Sequence, residues 1–332
     1  MLFQMYNCII PVKGYLRSIL CDLQRRDFIF VSNDFVDLFN KSMNFDIVTA
    51  RGLMPALQQT AFDKLIEELV EKEYGFVSES GIEAFSTPKP AFSNYIWIDA
   101  IVDFDTNSLH SLSSIVPKLN QLFFPCLKIR FLTGEDLGFV IDQLRALDDS
   151  TIRSVELLFS EKCSLDLSDI LSAVSAFPRV KRIIYSDKKC DVLEEYDTDY
   201  IHVIRTSQPL SSPSCCGQVS PEYFTVNSQS YFVNEKYNSC LYGKVSISSN
   251  GDIKNCPSMA ESFGNIRDHD LLEVLQDERF RHKTMITKKE IKVCKDCEFR
   301  MICPDCRAFT QNDGLYEKPA KCRYDPYQAI WQ

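Results

Sequence analysis

Cys294-Lys295-Asp296-Cys297-Glu298-Phe299-Arg300-Met301-Ile302-Cys303-Pro304-Asp305-Cys306 is the stretch that decides how the last third of this chain is built. Two Cys-x2-Cys knuckles stand five residues apart. Thiols this close oxidise or, as thiolates, repel, and a soft metal resolves both problems. Upstream, Cys240 is followed by ten residues, Gly251, four residues and Cys256; downstream, fifteen residues separate Cys306 from Cys322. The segment between Cys240 and Cys256 reads as a β-hairpin turning at Asn250-Gly251, the signature of a type I′ turn. Such a hairpin brings Cys240 and Cys256 towards one another. Seven cysteines are one short of two four-cysteine sites. Paired knuckles also build four-cysteine zinc sites, so the residues alone leave iron and zinc open. His269 and His282, in the helical stretch between the knuckles and the hairpin, read as solvated surface residues.

The compartment supports metal over disulfides. No apolar run approaches the roughly 18–20 residues needed to cross a bilayer. The N-terminus lacks a basic segment, a long apolar segment and a small-residue cleavage site. A cytoplasmic, reducing environment is therefore expected, where close cysteines bind metals. Cys8, Cys21, Cys126, Cys163 and Cys190 are scattered singly and read as small core hydrophobes. Over 332 residues, 37 Lys and Arg face 46 Asp and Glu, a net charge of −9. That balance disfavours a nucleic acid partner and suits a basic peptide or a protein. With 45% hydrophobic and 25% charged residues the composition is that of an ordinary globular protein.

Three earlier segments precede the cysteine-rich one. Residues 1–77 read as a winged-helix-like module. Apolar runs at 18–23 and 28–31 flank a polar turn and form a hairpin, Ser32 or Asn33 caps a short helix, and Phe62, Leu65, Ile66, Leu69 and Val70 make an amphipathic stripe. Gly75 ends that helix before a short Phe76-Val77 strand. Residues 78–93, rich in Ser, Pro and Gly, read as a linker. From 94 to 206 strands at Tyr95–Asp103, Leu127–Leu132, Val155–Phe159, Val180–Tyr185 and Tyr200–Ile204 alternate with helices at 108–121, 135–147 and 168–177. Alternation of this kind predicts an α/β fold with a parallel sheet and right-handed crossovers. About five strands are too few for a closed eight-fold barrel, so a partial or open (β/α) barrel is expected. Residues 207–332 form the Cys-rich segment.

The pattern Cys240-x10-Gly251-x4-Cys256, then Cys294-x2-Cys297-x5-Cys303-x2-Cys306-x15-Cys322, resembles the SPASM domain. That family appends two auxiliary [4Fe–4S] clusters to radical SAM enzymes that modify peptides. It usually has three residues where this chain has two between Cys303 and Cys306. More narrowly, the chain resembles the SPASM peptide maturases of grasp-with-spasm systems. Asn7-Cys8-Ile9-Ile10-Pro11-Val12-Lys13-Gly14, Pro221-Glu222-Tyr223-Phe224-Thr225, Asn255-Cys256-Pro257-Ser258-Met259 and Lys321-Cys322-Arg323-Tyr324-Asp325-Pro326-Tyr327 are among the segments that carry this likeness. The resemblance implies a role in ribosomal-peptide maturation, with a precursor peptide and an ATP-grasp ligase as partners. It also implies interleaved ligation, Cys240, Cys256 and Cys306 on one cluster and Cys294, Cys297, Cys303 and Cys322 on the other. Cys216 is the candidate for the missing ligand, ahead of Cys215; an iron left open to substrate is the other possibility.

A radical SAM core requires C-x3-C-x2-C, and no such spacing occurs, so S-adenosylmethionine is not an expected cofactor. GxGxxG after a strand, the P-loop, HExxH and GxSxG are also missing. Asp99, Asp103 and Asp105 read as a solvated loop rim, and the Tyr324–Tyr327 tail as packing over the second cluster. Three roles stay open: a cluster-bearing maturation factor, an independent redox or Lewis-acid enzyme at an auxiliary cluster, and a zinc-stabilised scaffold. The winged-helix-like layout suits capture of an extended leader peptide at a sheet edge.

Overall fold

The computed structural model describes residues 1–40, 43–80, 97–134, 136–190, 193–198, 200–211 and 215–332. The expected linker lies outside the described residues from 81 onward, as do the first two residues of the strand expected from Tyr95.

The N-terminal segment makes two small antiparallel sheets. Leu2–Met5 (β1) lies between Asn44–Asp46 (β5) and Gly75–Ser78 (β6). Ile9–Lys13 (β2), Ser18–Asp22 (β3) and Asp27–Val31 (β4) form a meander. The expected hairpin is β3–β4. The helix at Asn33–Asp37 (α1) is capped by Ser32, whose Oγ accepts the Phe35 N–H at 3.1 Å. A short helix, Ile47–Gly52 (α2), precedes the amphipathic Ala56–Glu71 (α3), which buries Phe62, Ile66 and Leu69.

The centre is an eight-stranded, mostly parallel sheet. Asp99–Phe104 (β7), Cys126–Phe131 (β8), Ser154–Phe159 (β9), Val180–Ser186 (β10) and His202–Thr206 (β12) are the five expected strands, all parallel in this order. Leu112–Gln121 (α4), Leu137–Arg145 (α5) and Leu167–Val174 (α6) are the crossovers. Glu194–Asp197 (β11) adds an antiparallel edge, fully exposed and acidic, which the sequence pattern did not announce. At the other edge, Lys244–Ile247 (β13) of the cysteine-rich segment pairs parallel to β7, and Ile253–Lys254 (β14) folds back on it. The Cys240–Cys256 hairpin is thereby built into the central sheet.

Successive residues of a strand point to opposite faces. One face carries Ala100, Val102, Leu127, Ile129, Val155 and Leu157, buried under the three helices. Phe104, Phe131 and Phe159 are in register at the strand ends and stack at 5.9 and 5.0 Å. Burying each such side chain contributes about 1.5–3 kcal/mol. The other face carries Lys244, Asp99, Lys128, Arg130, Asp103 and Glu156, which pair among themselves: Lys128 meets Glu156 at 2.6 Å, and Arg130 grips Asp103 through both carboxylate oxygens.

This corrects the reading of Asp99 and Asp103, while Asp105 lies in the loop after β7 as expected. Asp103 is only 4% exposed and ion-paired, and Asp99 stands at the opposite end of the same strand, where burial pushes its carboxyl up. The charges are inside because strands that bury both faces leave them nowhere else to go.

The remaining helices, Ser228–Lys236 (α7), Leu271–Gln276 (α8) and Glu278–Met285 (α9), belong to the cysteine-rich segment, which ends in the two-stranded Tyr324–Asp325 (β15) and Ile330–Trp331 (β16).

Candidate metal centre

Tight backbone turns present each cysteine. Cys294–Asp296 is a single 3-10 turn, closed by the Cys297 N–H on the Cys294 carbonyl at 3.1 Å. Val293, just before it, has φ 66°, a region that costs a β-branched residue strain and that clusters at functional sites. A second 3-10 turn, Glu298–Met301, leads into Cys303, whose N–H reaches the Phe299 carbonyl at 2.9 Å. Val219 bridges to Cys322 in parallel, which lays the Cys215–Gly217 segment beside the C-terminal cysteines.

The hairpin between Cys240 and Cys256 forms, but its turn differs from the expected one. The Gly251 N–H bonds the Ser248 carbonyl at 2.7 Å, and Gly251 has φ 86°. Asn250 is not left-handed, so this is a three-residue loop with a glycine bulge and not a type I′ turn. The Asn265 amide fixes it by donating to the Asn250 carbonyl at 2.9 Å, and a Cβ on Gly251 would come within 2.8 Å of the Asn265 side chain.

The candidate thiols fall into two neighbourhoods. Burial, and then the charges of Cys240 and Cys216, raise the Cys256 thiol to about 11. Cys306, also raised first by burial, likewise feels Cys240 and Cys216. In the other neighbourhood burial pushes Cys294 to about 12 and Cys303 well up, and both feel Cys322; Cys303 also feels Cys297 and Cys294. Cys297 is raised by burial, with Cys294 and Cys322 nearby. Gly217, with φ 81°, passes so near Cys306 that a Cβ there would lie 2.8 Å from Sγ. Cys216 is exposed and Cys215 half-buried.

Backbone amides already point at several sulfurs. The Ser258 N–H reaches Cys256 Sγ at 3.4 Å, the Phe299 amide meets Cys297, and the Ala308 and Phe309 amides meet Cys306. Such N–H···S bonds stabilise thiolate charge. Among the described residues no three His, Cys, Asp or Glu side chains are set to hold a single metal ion. Thiolates on one zinc stand about 3.8 Å apart, from the Zn–S length opened by the tetrahedral angle. A cluster needs more room, since each thiolate binds a different iron. The donor set of thiols, amide donors and nearby cations fits iron–sulfur clusters.

Residues 239–298 match the SPASM family, an iron–sulfur cluster-binding domain. The SPASM match thus spans Cys240, Cys256, Cys294 and Cys297. No curated protein matches the chain. Among solved structures it is similar to the crystal structure of Streptococcus suis SuiB, with 10% identity, 96% of this chain and 99% of that one covered, and a TM-score of 0.44. SuiB bound to S-adenosylmethionine matches at 10% identity over 93% and 96%, TM-score 0.40. SuiB bound to precursor peptide SuiA matches at 12% over 92% and 96%, TM-score 0.39. Overlaps this loose transfer nothing to the present chain.

Around the candidate cysteines the fold adds side chains that no motif announced. Asp305, between Cys303 and Cys306, pairs with the equally buried Arg307 at 2.7 Å and accepts from Asn238 Nδ2 at 2.6 Å. Glu298, fully buried, takes Arg17 Nε at 2.8 Å and the Tyr324 hydroxyl. Tyr324, 2% exposed, packs with Cys297, Cys303 and Cys322, as expected of the tail, whereas Tyr327 is exposed. Val12, Ile19 and Leu23 of the N-terminal meander close the same apolar cluster. Lys244 lies beside Cys240, Cys256 and Cys216, and Lys288 beside Cys303 and Cys294. His269 and His282 are exposed, as the sequence suggested. Cys21 and Cys190 are buried; Cys8, Cys126 and Cys163 are half-buried, and Cys8 and Cys163 pack against apolar cores. These contacts are long-range, so local spacing could not reveal them.

Proposed function

We propose that this chain is an iron–sulfur maturation factor for a ribosomally synthesised peptide, carrying two [4Fe–4S] clusters. Cys216, Cys240, Cys256 and Cys306 would hold the first, and Cys294, Cys297, Cys303 and Cys322 the second. The observation that carries this reading is the sorting of these eight thiols into two neighbourhoods, with amides aimed at Cys256, Cys297 and Cys306. The SPASM match over 239–298 supports iron–sulfur chemistry in preference to zinc. Bound there, the clusters supply one-electron transfer and, at any iron lacking a thiolate, Lewis-acid binding.

The chain's own residues do the rest of the work. They bury Cys256 and Cys306, partly cover the other candidate ligands except the exposed Cys216, and orient the sulfurs through tight turns. The likeness to grasp-with-spasm maturases supports a precursor peptide and an ATP-grasp ligase as partners in the cytoplasm. Within this proposal 1–77 is the peptide-binding module, 94–206 a partial barrel without a C-x3-C-x2-C cluster, and 207–332 the cluster domain. The edges of the two N-terminal sheets suit an extended peptide. Among the described residues no helix is long and apolar enough to cross a membrane.

Oxygen-free purification tests the proposal. About eight irons and eight acid-labile sulfides per chain are expected from two four-iron clusters. Colourless protein holding zinc, with no iron uptake on reconstitution, would overturn it. Peptide modification by the ligase with and without this chain then separates a factor from a bystander.

A further inference from the structure

Lys288 is 4% exposed, and a lysine is almost never buried so fully unless an anion partners it. Its Nζ donates to the Cys303 carbonyl at 2.6 Å and to Asn234 Oδ1 at 3.1 Å. Asn234 is itself held by its Nδ2 on the Met301 carbonyl at 3.0 Å, which fixes its oxygen on the lysine. Both acceptors are neutral. The neighbouring carboxylates are engaged elsewhere: Glu290 takes the Thr287 N–H and hydroxyl, and Glu235 faces Lys289 at 3.8 Å. Among the described residues no ion pair joins Lys288 to a carboxylate. Its positive charge instead bears on Cys303 and on Cys294, where the nearer carboxylate, Asp305, is itself paired with Arg307.

Resting on the two-cluster reading, we propose that Lys288 is the counter-charge of the cluster held by Cys294, Cys297, Cys303 and Cys322, a positioning residue that raises its reduction potential. Reduction adds one negative charge to a cluster that is already anionic with its four thiolates. A fixed cation in a poorly polarisable interior stabilises the reduced form more than the oxidised one. The first neighbourhood is built differently. Lys244 lies among Cys240, Cys256 and Cys216 but also beside Asp99, and Arg130 is tied to Asp103, so carboxylates there offset part of the positive charge. In the second neighbourhood the buried carboxylates Asp305 and Glu298 are each paired with an arginine, Arg307 and Arg17, which leaves the Lys288 charge unopposed; the two clusters are then unequal, and the second accepts an electron first.

The test uses the full chain, reconstituted without oxygen and titrated with a reductant while the reduced clusters are followed by electron paramagnetic resonance. The wild type shows two steps, and the higher one survives in Cys256→Ser, which disables the first site alone. Lys288→Met moves that step to more negative potential. Asn234→Asp, which keeps the lysine but gives it an anion, moves it in the same direction. Should Lys288→Met lose the second cluster, Asn234→Asp decides. An unmoved higher step in Asn234→Asp with full iron content overturns the proposal. A wild type that takes up neither iron nor sulfide overturns the two-cluster reading beneath it, and this inference falls with it.

Discussion

Gly217 offers the sharpest test of how the first cysteine neighbourhood is closed. Its φ of 81° is open to glycine but costs an L-residue about 1–2 kcal/mol. An added Cβ would also stand 2.8 Å from Cys306 Sγ and 3.0 Å from the Phe309 ring. Ordinary contact between such atoms is about 3.5–4.0 Å, so something must move. Overpacking of this kind costs about 1–3 kcal/mol, which brings Gly217→Ala to about 2–5 kcal/mol in all. The strain is relieved by lifting the Cys215–Gly217 segment away from Cys306. Iron and sulfide content should then fall towards half, with the second site intact, and the urea midpoint should drop. Gly52→Ala is the matched control: nothing lies within 4 Å of its Cβ position and it ends helix α2, so stability should hold or rise slightly. A Gly217→Ala chain with wild-type midpoint and full iron would refute the placement of this segment against Cys306.

Three further outcomes follow from the same geometry. Arg17→Met leaves Glu298 buried with the Tyr324 hydroxyl as its one partner, and should cost about 2–4 kcal/mol, low in the range for broken buried pairs because Arg17 is 32% exposed; denaturant unfolding that shows less than 1 kcal/mol, roughly a surface-pair effect, would count against the joint. Asn238→Ala strips Asp305 Oδ2 of its donor, an unsatisfied buried acceptor costing about 1–3 kcal/mol, and iron should be lost from both sites because Asp305 separates a ligand of each; loss confined to one site would contradict this. Burial holds the His110 imidazole below its ordinary 6.5, so between those two values the unfolded chain binds more protons, and stability is full above 6.5 and falls as the pH drops through that window. His110→Gln should flatten this slope in urea midpoints taken across the window, and an unchanged slope would show that other groups set it.

The central sheet was legible because its five middle strands and three helices each carry an apolar face at their own period. Of the stripe expected over 108–121, Leu112, Ile115, Val116 and Leu119 are buried on α4, while Leu109 precedes the helix and is exposed. Strand β11 was not legible, since Glu-Glu-Tyr-Asp has no apolar alternation and forms only by pairing with β12. The union of the Cys240–Cys256 hairpin with β7 was equally hidden, because pairing between residues 99 and 244 leaves no local trace. Asp103 was misplaced for a related reason: its partner Arg130 lies on the next strand, and sequence spacing does not show register. At the candidate metal centre, the cysteine knuckles and the hairpin turn at Gly251 could be located from spacing alone. Lys288, Asn234, Asn238 and the Arg17–Glu298 pair could not, being ordinary residues given meaning by what folds against them.

Those unannounced residues explain why the two cysteine neighbourhoods occur together. Cys303 and Cys306 are separated by Pro304 and Asp305 alone, yet they face different neighbourhoods. A segment so short cannot adjust to one site without moving the other, unless it is pinned. Asp305 is pinned by Arg307 and Asn238, and Arg307 in turn holds the Leu315 and Glu317 carbonyls at 2.9 Å. Asn238 follows helix α7 one turn after Asn234, the residue that orients Lys288, and Cys240 lies two residues further on. Helix α7 therefore sets the first site through Cys240, the second through Asn234, and the clasp between them through Asn238. The interleaved ligation proposed above would use that shared support to hold the two sites in fixed relation.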